Sequence, residues 1–216
     1  MKKFAFISDF DGTLSDKDFY EIITENYAIK DNDSKYAAWR RKEINVVDYL
    51  GHIFKNIDRE EAEIDQDIMK ISLDPYTKEF IQNIESYGID FYIVSAGTSY
   101  YINRVFEREG IKGVKVYSNE GIYKDKGIHF QLDKESEFYS DISGIDKLKV
   151  VESIKKNYDF IFYAGDSEPD VKAALIADVV FAKSRLIKLM GDNNKACIPF
   201  SSFEEVWKEV ESYIKE

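Results

Sequence analysis

The chain has 216 residues, of which 44% are hydrophobic and 33% charged, so it is long enough for one sizeable domain with a smaller insert and too apolar to be disordered. Its formal net charge of -11 argues against nucleic acid and anionic membranes as partners. The single cysteine, Cys197, excludes an internal disulfide, and the sequence shows neither a signal peptide nor an apolar run of about 18 residues. We therefore expect a globular protein of the cytoplasm.

The first element is a short apolar run at residues 4–7, which is followed by two aspartates, Asp9 and Asp11. Apolar residues without alternation are typical of a strand buried on both faces, as in a parallel sheet. Residues i and i+2 of a strand point the same way, so both carboxylates can face one site where the strand ends. Two close carboxylates repel each other unless a cation or a shared proton relieves them. Mg²⁺ suits such a pair, because it accepts one or two carboxylates together with water and a phosphate oxygen.

Gly12 then lets the chain turn tightly. The alternative for this segment is a solvated turn, since Asp and Gly are common turn residues. An EF-hand calcium loop is excluded, because its glycine stands at the sixth position of the loop and Gly12 is the fourth residue counted from Asp9.

Residues 16–72 lack buried-strand runs and carry apolar residues at helical spacing. These residues form two sets: Phe19, Ile22, Ile23 and Tyr27, and Val46, Val47, Leu50 and Phe54. Asn45 is placed to cap the helix that carries the second set. A helical block between two strands of one sheet predicts a small cap domain over residues 16–72, inserted into a core of residues 1–15 and 73–216. A cap that closes over a substrate excludes water and contributes specificity.

From residue 75 onward, strand and helix patterns alternate. The predicted strands are 90–94, 114–118, 159–164 and 178–182, and the predicted helices between them are 98–109, 145–157 and 168–176. Strands separated by helices of this length imply right-handed βαβ units, so the predicted fold class is α/β, with a Rossmann-like parallel sheet flanked by helices. Residues 120–132 interrupt the alternation as a predicted hairpin flap, and a last helix is expected in 201–216.

Ser95, Ala96 and Gly97 follow the strand at 90–94 and precede a helix expected to begin near Thr98. Backbone N–H groups at a helix start, together with a small hydroxyl, can bind an anion. Gly97 permits the close backbone approach that a phosphoryl group needs. Taken alone, however, such a tripeptide is more often a simple helix cap.

A second acidic segment, Gly165 to Asp170, follows the strand at 159–164. Pro169 fits the first turn of a helix. Asp166 and Asp170 are four residues apart, so that their carboxylates are close across one turn. Acidic residues are also common at helix N-termini for electrostatic reasons alone.

The order of these motifs, Asp-x-Asp-Gly-Thr, Ser-Ala-Gly, a lysine and Gly-Asp-Ser-x-x-Asp, resembles the haloacid dehalogenase (HAD) superfamily and the phosphatases within it. The resemblance implies that Asp9 is a nucleophile, which forms an aspartyl phosphate, and that Asp11 is the general acid and base. It also implies that the Asp9 side chain, the Asp11 main-chain carbonyl and Asp166 bind Mg²⁺.

The family also uses one lysine to neutralise charge on the nucleophile and on the phosphoryl oxygens. Lys147 follows Gly144 by three residues at a predicted helix start, which matches the family pattern, and Lys149 is the alternative. The other roles that the resemblance implies belong to Ser95, Ala96 and Gly97, which would bind the phosphoryl group, and to Asp170 and Thr13, which would support the site.

The helical insert resembles the phosphoserine phosphatase branch of the superfamily, whose members recognise serine through an acidic residue near the first motif and an arginine in the cap. Asp18 lies near the first of these positions. Gly51, His52 and Ile53 stand where the arginine is expected, so the carboxylate of phosphoserine would lose its charge partner. The loss of such a partner costs whole kilocalories per mole of binding free energy rather than tenths of one.

The C-terminal half, above all residues 165–186, is closer to the branch that acts on 2-hydroxy-3-keto-5-methylthiopentenyl-1-phosphate in methionine salvage. Members of that branch carry cysteines just before the lysine, whereas this chain reads EFYSDISGIDK at 137–147. The apolar Ile53 would suit a methylthio tail, and His52 is a second candidate for a substrate contact.

We therefore expect a Mg²⁺-dependent phosphomonoester hydrolase that acts on a small phosphorylated metabolite. The enzyme alternatives are phosphoserine phosphatase and a phosphotransferase that delivers the phosphoryl group to an alcohol. The alternative of another class is a non-catalytic HAD-like binding domain, which the presence of Asp9, Asp11 and Asp166 disfavours. The sequence makes no prediction of the oligomeric state.

Overall fold

A computed structural model describes residues 2–215 of the chain. The strands are β1 (Phe4–Ser8), β2 (Asp90–Thr98), β3 (Lys115–Lys124), β4 (Gly127–Gln131), β5 (Tyr139–Ser140), β6 (Gly144–Ile145), β7 (Phe160–Gly165), β8 (Val179–Ala182) and β9 (Ile198–Pro199). The helices are α1 (Phe19–Asn26), α2 (Asn32–Arg40), α3 (Val46–Lys55), α4 (Glu61–Ile68), α5 (Thr77–Ser86), α6 (Ser99–Glu109), α7 (Lys147–Lys155), α8 (Val171–Ile176), α9 (Ser184–Asp192) and α10 (Phe203–Lys215). A short 3-10 turn, Glu168–Asp170, precedes α8.

The main sheet has the strand order β4-β3-β2-β1-β7-β8-β9. Its pairs are parallel except for β3 with β4, which is antiparallel. β1 is central, because it pairs with β2 on one side and with β7 on the other. The predicted α/β fold with a parallel, helix-flanked sheet is therefore confirmed, and the carboxyl ends of β1, β2 and β7 meet at one edge.

Two apolar layers cover the sheet, and β1 contributes alternate residues to each. Phe6 lies in the layer that holds α5, α6 and α10, with the ring of Phe80 4.8 Å away. Ala5 and Ile7 lie in the layer that holds α7, α8 and α9. Since all three β1 residues are fully buried, the predicted burial of this strand on both faces is confirmed. A strand fixed in this way carries Asp9 and Asp11 on a rigid support.

Helices α1 to α4 lie between β1 and α5, in the segment that the sequence predicts to be a cap. The chain enters and leaves this segment side by side, since Ser15 and Leu73 form an antiparallel bridge. Asp16 donates its N–H to the Ser72 carbonyl at 3.0 Å. The two crossings thus lie beside the predicted boundaries at 16 and 72, and the division into two domains stays a prediction. As the sequence predicts, α3 begins directly after Asn45.

Two predicted elements differ from the structure in their limits. β2 continues past Val94 to Thr98 with an irregular register, whereas α6 begins at Ser99, next to the predicted start near Thr98. The predicted strand at 114–118 and the first half of the hairpin are one strand, β3. The hairpin itself is confirmed, and its turn residues Asp125 and Lys126 both have positive φ, which a two-residue hairpin turn requires. Within residues 2–215, none of the helices is both long and apolar enough to cross a bilayer.

Candidate active site

The motif residues come together where β1, β2 and β7 end. Asp9 follows β1, and its N–H donates to the Ala164 carbonyl of β7 at 2.9 Å. Ser95 lies in the irregular last part of β2, and Asp166 follows β7. Lys147 is the first residue of α7. Segments far apart in the chain therefore supply one cluster, at the edge where parallel sheets bind their ligands.

The centre of the cluster is a buried lysine between two aspartates. Lys147 Nζ lies 2.7 Å from Asp9 Oδ2 and 2.8 Å from Asp170 Oδ1. Burial lowers the pKa of Lys147, but the carboxylates of Asp170 and Asp9 raise it by more, so the ammonium stays charged. Burial and the neighbouring Asp170 raise the pKa of Asp9 well above its usual value, although Lys147 opposes them. Lys149, the alternative, reaches instead toward the Tyr139 carbonyl at 3.4 Å, in an exposed position.

Asp170 uses all of its acceptor positions within the protein. Oδ1 accepts from Lys147 Nζ and from the Tyr163 hydroxyl at 2.7 Å. Oδ2 accepts from the N–H groups of Asp166 and Ser167, at 3.0 and 3.1 Å. A carboxylate offers about four such positions, so Asp170 fixes the lysine and the Asp166 loop rather than binding a further group.

The remaining acidic groups fit a divalent cation. Single carboxylate oxygens of Asp9, Asp166 and Asp170 lie within 4.8 Å of one another. Oδ1 of Asp166 is buried without a hydrogen-bond partner among the described residues, and burial together with Asp170 raises the pKa of Asp166 to about 7. A hard cation with oxygen ligands would satisfy this atom and relieve the repulsion. Because Asp170 is saturated, Asp9 and Asp166 are the side chains best able to hold the ion.

The carboxyl group of Asp11 points into a different set of contacts. Its Oδ2 accepts from the Tyr101 hydroxyl at 2.6 Å and from Ser95 Oγ at 3.3 Å. Its Oδ1 accepts from the N–H of Phe19, the first residue of α1, at 3.2 Å. Burial raises the pKa of Asp11, and the hydrogen bonds from Tyr101 and Phe19 offset only part of this. The predicted acid and base is thus tied both to the core and to the first helix of the predicted cap.

The Ser95 loop is shaped by a glycine at position 97 and by one amide side chain, that of Asn119. Ser95 Oγ accepts from the N–H of Gly97 at 3.0 Å. A Cβ at position 97 would overlap the Tyr101 hydroxyl and lie 2.7 Å from Asp11 Oδ2, so only glycine fits there. Asn119 Nδ2 donates to the Ala96 carbonyl at 2.8 Å and to the Ser143 carbonyl at 2.9 Å. It thereby ties this loop to the segment that leads to Lys147.

Asp18 lies beside the predicted metal ligands. Gly12 has a positive φ of 70°, and a Cβ there would lie 3.0 Å from Asp166 Oδ2 and 3.2 Å from Asp18 Oδ1. The carboxyl groups of Asp18 and Asp166 therefore both lie close to Gly12. Burial, with Asp11 and Asp166 nearby, raises the pKa of Asp18 to about 8. The buried Oγ1 of Thr13 has no partner among the described residues.

The other two predicted substrate residues make contacts inside the cap segment. His52 Nε2 lies 2.8 Å from the Lys30 carbonyl oxygen. Ile53 is fully buried in the same apolar cluster as Phe19 and Phe54. Neither is brought into hydrogen-bonding contact with the described residues around Asp9, and their roles toward substrate stay predictions.

Three side chains at the site were not predicted from the sequence: Tyr101, Asn119 and Tyr163. Each belongs to a regular element and contacts a motif segment, Tyr101 and Asn119 across long stretches of chain and Tyr163 across seven residues. Tyr101 is the third residue of α6, and its place at the start of the helix that follows the Ser95 loop is the only local signal that could have indicated it. The other two carry no local signal, because a tyrosine or an asparagine in a strand is usually structural.

Comparisons with known proteins agree with this geometry. A family model described as Putative Phosphatase matches residues 4–194. The 2-hydroxy-3-keto-5-methylthiopentenyl-1-phosphate phosphatase of Bacillus cereus is 26% identical over 208 residues, with 94% of this chain and 93% of the relative covered. The bifunctional enzyme MtnB/MtnX of Bacillus licheniformis is also 26% identical, over 213 residues; the match covers 95% of this chain, which spans 49% of that relative. The predicted resemblance to the methionine-salvage phosphatases is thus confirmed.

Solved structures show the same fold. A phosphoserine phosphatase bearing an analogue of the phospho-aspartyl intermediate superposes with a TM-score of 0.71 at 18% identity, and 97% of this chain and 99% of that chain are covered. A HAD family hydrolase from Salmonella enterica superposes with a TM-score of 0.72 at 14% identity, over 94% of this chain and 69% of that chain. The predicted resemblance to HAD phosphatases of the phosphoserine phosphatase type is confirmed at the level of the fold.

Proposed function

The chain belongs to the family described as Putative Phosphatase, and on this premise we propose that it is a Mg²⁺-dependent hydrolase of a small phosphate monoester. One observation supports the proposal most strongly. A buried carboxylate, Asp9, stands 2.7 Å from a buried ammonium at the sheet edge, with the Asp11 and Ser95 side chains in contact with each other beside it. These contacts support a nucleophile, a cation and an acid acting together at this edge of the sheet.

The reaction proceeds in two steps. In the first, an Asp9 carboxylate oxygen attacks phosphorus, the bond between phosphorus and the ester oxygen breaks, and Asp11 gives its proton to the departing alcohol. In the second, Asp11 takes a proton from water, which attacks the aspartyl phosphate and releases inorganic phosphate. Lys147, Ser95 and the backbone of the loop at Ala96 and Gly97 bind the phosphoryl oxygens in both steps, and the Gly97 N–H becomes available when Ser95 turns to the phosphoryl group.

Bound Mg²⁺ would supply positive charge for the phosphoryl oxygens and would be held by Asp9, Asp166 and the Asp11 carbonyl. The ion would also balance negative charge at the site. The carboxyl groups of Asp9 and Asp170 contact the Lys147 ammonium, those of Asp11, Asp18 and Asp166 lie close by, and a divalent cation would offset part of their negative charge. Asp170 and Thr13 support the site without binding the ion.

As substrate we propose 2-hydroxy-3-keto-5-methylthiopentenyl-1-phosphate, in methionine salvage in the cytoplasm. The named relatives that align over most of their length support this substrate. Asp18 is the residue proposed to meet the substrate's polar part. Its carboxyl group lies close to Gly12 and Asp166 and can hydrogen-bond a hydroxyl group of the substrate. Ile53 and His52 stay weaker proposals.

Phosphoserine is the second candidate, because the fold superposes on phosphoserine phosphatase and Asp18 could bind an amine. The cap segment offers little for the carboxylate of serine. Arg41 pairs with Glu43 at 2.6 Å, Arg59 lies over the Tyr27 ring, and Arg40 lies over the Trp39 ring. With these arginines engaged, phosphoserine is expected to be a poorer substrate than an ester without a carboxylate.

The test is a panel of phosphate esters assayed with Mg²⁺ and with a chelator. The panel contains the methionine-salvage enol phosphate, phosphoserine, pyridoxal phosphate and p-nitrophenyl phosphate, with and without an added alcohol. Mg²⁺-dependent release of inorganic phosphate, with preference for the enol phosphate, is the expected result. Transfer to the alcohol would indicate a phosphotransferase, and no turnover of any ester would favour a binding domain.

A further inference from the structure

Tyr101 makes a contact with the general acid that the proposed reaction does not yet use. Its hydroxyl donates to Asp11 Oδ2 at 2.6 Å, a shorter distance than either of the other hydrogen bonds that Asp11 accepts. Tyr101 is almost fully buried. A phenol is protonated near neutral pH, so the hydroxyl donates its hydrogen bond to the charged Asp11 carboxylate.

The ring of Tyr101 is fixed independently of its hydroxyl. It packs against the rings of Phe10, Phe19 and Phe54, with centroid distances of 6.0, 4.7 and 6.1 Å. The absence of a side chain at Gly97 makes room for the hydroxyl. A phenylalanine could fill the same space, so packing alone does not explain the hydroxyl.

The hydrogen bonds on Asp11 determine which of its oxygens can carry a proton. A carboxylate oxygen has two lone-pair positions. Both positions of Oδ2 are used, by Tyr101 and Ser95, whereas Oδ1 accepts one hydrogen bond from the described residues, that of Phe19. When Ser95 turns to a phosphoryl group, the Tyr101 hydroxyl still occupies Oδ2.

We propose that Tyr101 is a positioning residue for the general acid: its hydroxyl holds the Asp11 carboxyl group in one orientation and keeps the acidic proton on Oδ1, from which it passes to the departing alcohol. Tyr101 does not touch the reacting atoms and acts through Asp11. This inference rests on the proposed phosphatase function. Loss of the Tyr101 hydroxyl must affect the step in which the leaving group departs. The effect must be strongest for a leaving group that depends on protonation.

The experiment compares the wild type with Tyr101→Phe on phenyl phosphate and p-nitrophenyl phosphate, in the presence of Mg²⁺. These esters are similar in size, but phenolate is the poorer leaving group and depends more on proton donation. We expect kcat/KM for phenyl phosphate to fall about tenfold, the order expected for a lost hydrogen bond to a charged group, and kcat/KM for p-nitrophenyl phosphate to fall less than about threefold. The Mg²⁺ dissociation constant, measured by titration calorimetry, is expected to stay unchanged, because the hydroxyl contacts the carboxyl group of Asp11 and not its carbonyl.

Tyr100→Phe is the matched control. The Tyr100 hydroxyl donates to Glu61 at 2.8 Å, outside the Asp9 cluster, so its removal should leave the ratio of the two kcat/KM values as in the wild type. An equal loss on both esters in Tyr101→Phe, or no change on either, would overturn the inference and leave the proposed function standing. A weakened Mg²⁺ affinity would also overturn it, since the role would then be structural. A wild type that hydrolyses neither ester would overturn the proposed function and this inference with it.

Discussion

At the scale of single residues, the site depends on one cation placed among several acids. Lys147 makes ion pairs with Asp9 and Asp170, and all three side chains are buried. A buried charge without a partner is costly, so each of these residues stabilises the others. Lys147 opposes the rise that burial and Asp170 cause in the pKa of Asp9, and so favours the ionised form that the proposed mechanism requires.

Replacing the nucleophile should abolish turnover and spare the fold. Asp9→Asn keeps the shape of the side chain and removes the oxygen charge that attacks phosphorus, so kcat is expected to fall about 10⁴-fold or more. Because the pKa of Asp9 is raised in the folded protein, the neutral amide should not lower the melting temperature in the absence of metal. Steady-state kinetics and a thermal melt check both parts, and near-normal activity would contradict the mechanism.

The two neighbouring lysines should differ sharply when each is replaced by alanine. Lys147→Ala removes the charge beside Asp9 and should lower kcat by about 10²-fold or more, because an electrostatic contact to the phosphoryl group is lost. Lys149→Ala serves as the control, since this lysine is exposed and contacts only the Tyr139 carbonyl among the described residues, and it should change kcat less than about twofold. The reverse ranking in a kcat measurement would transfer the role to Lys149.

At the scale of elements, the predicted cap meets the core close to the site. Phe19, at the start of α1, donates its N–H to Asp11. Lys42, between α2 and α3, lies 2.8 Å from Glu168, two residues after Asp166. The position of the cap segment is thus coupled to the acid and to the Asp166 loop. A movement of this segment would therefore change the site directly.

Reversing the charge of Lys42 should lower kcat/KM, although Lys42 is not one of the proposed catalytic residues. In Lys42→Glu, two carboxylates would face each other, which disfavours the contact between the cap segment and the Asp166 loop by about 1 kcal/mol for an exposed pair. We expect kcat/KM to fall about fivefold and the effect to shrink at high salt. Lys30→Glu makes the same charge change at another exposed position of the cap segment and is the control. Equal losses in the two variants would indicate a general charge effect instead of a contact between cap and core.

At the scale of the whole molecule, the acidic cluster lowers the free energy of unfolding of the metal-free protein. Metal binding should raise it again. The pKa is about 7 for Asp166 and about 8 for Asp18, and both lie far above the value of an unfolded aspartate. At pH values between the pKa of an unfolded aspartate and these raised values, the folded protein binds more protons than the unfolded chain. The free energy of unfolding of the metal-free protein therefore falls as pH rises through this window.

Chemical denaturation at several pH values checks this dependence. Without metal, the free energy of unfolding should decrease between about pH 5 and about pH 8, by an amount on the order of a few kcal/mol. Mg²⁺ should stabilise the protein more at pH 8 than at pH 5, since it binds the deprotonated carboxylates. Asp18→Asn should flatten the metal-free dependence, because one raised pKa is removed. A stability that rises with pH in the metal-free protein would contradict this account.

The sheet, the place of the acids at its edge and the family could be predicted from the sequence. The apolar run of β1 is a local pattern, and Asp9 and Asp11 follow it directly, so the end of this strand brings both to the edge of the sheet. Their side chains nevertheless make different contacts, because both residues lie beyond the regular strand. The resemblance to the HAD superfamily could be found because the order of the motifs can be read directly from the sequence. Element limits were less predictable, as at Val94, where β2 continues through an irregular register because β3 pairs with it.

Which side chains contact each other depends on the tertiary structure. Lys147 and Lys149 are two residues apart on one helix, so they point about 200° apart around its axis, and only the packing of α7 against the sheet determines which faces Asp9. Tyr101 reaches Asp11 across 90 residues of chain, and Asn119 joins two loops that the sequence separates. Contacts of this kind depend on how distant elements pack, and no periodicity or spacing along the chain records them.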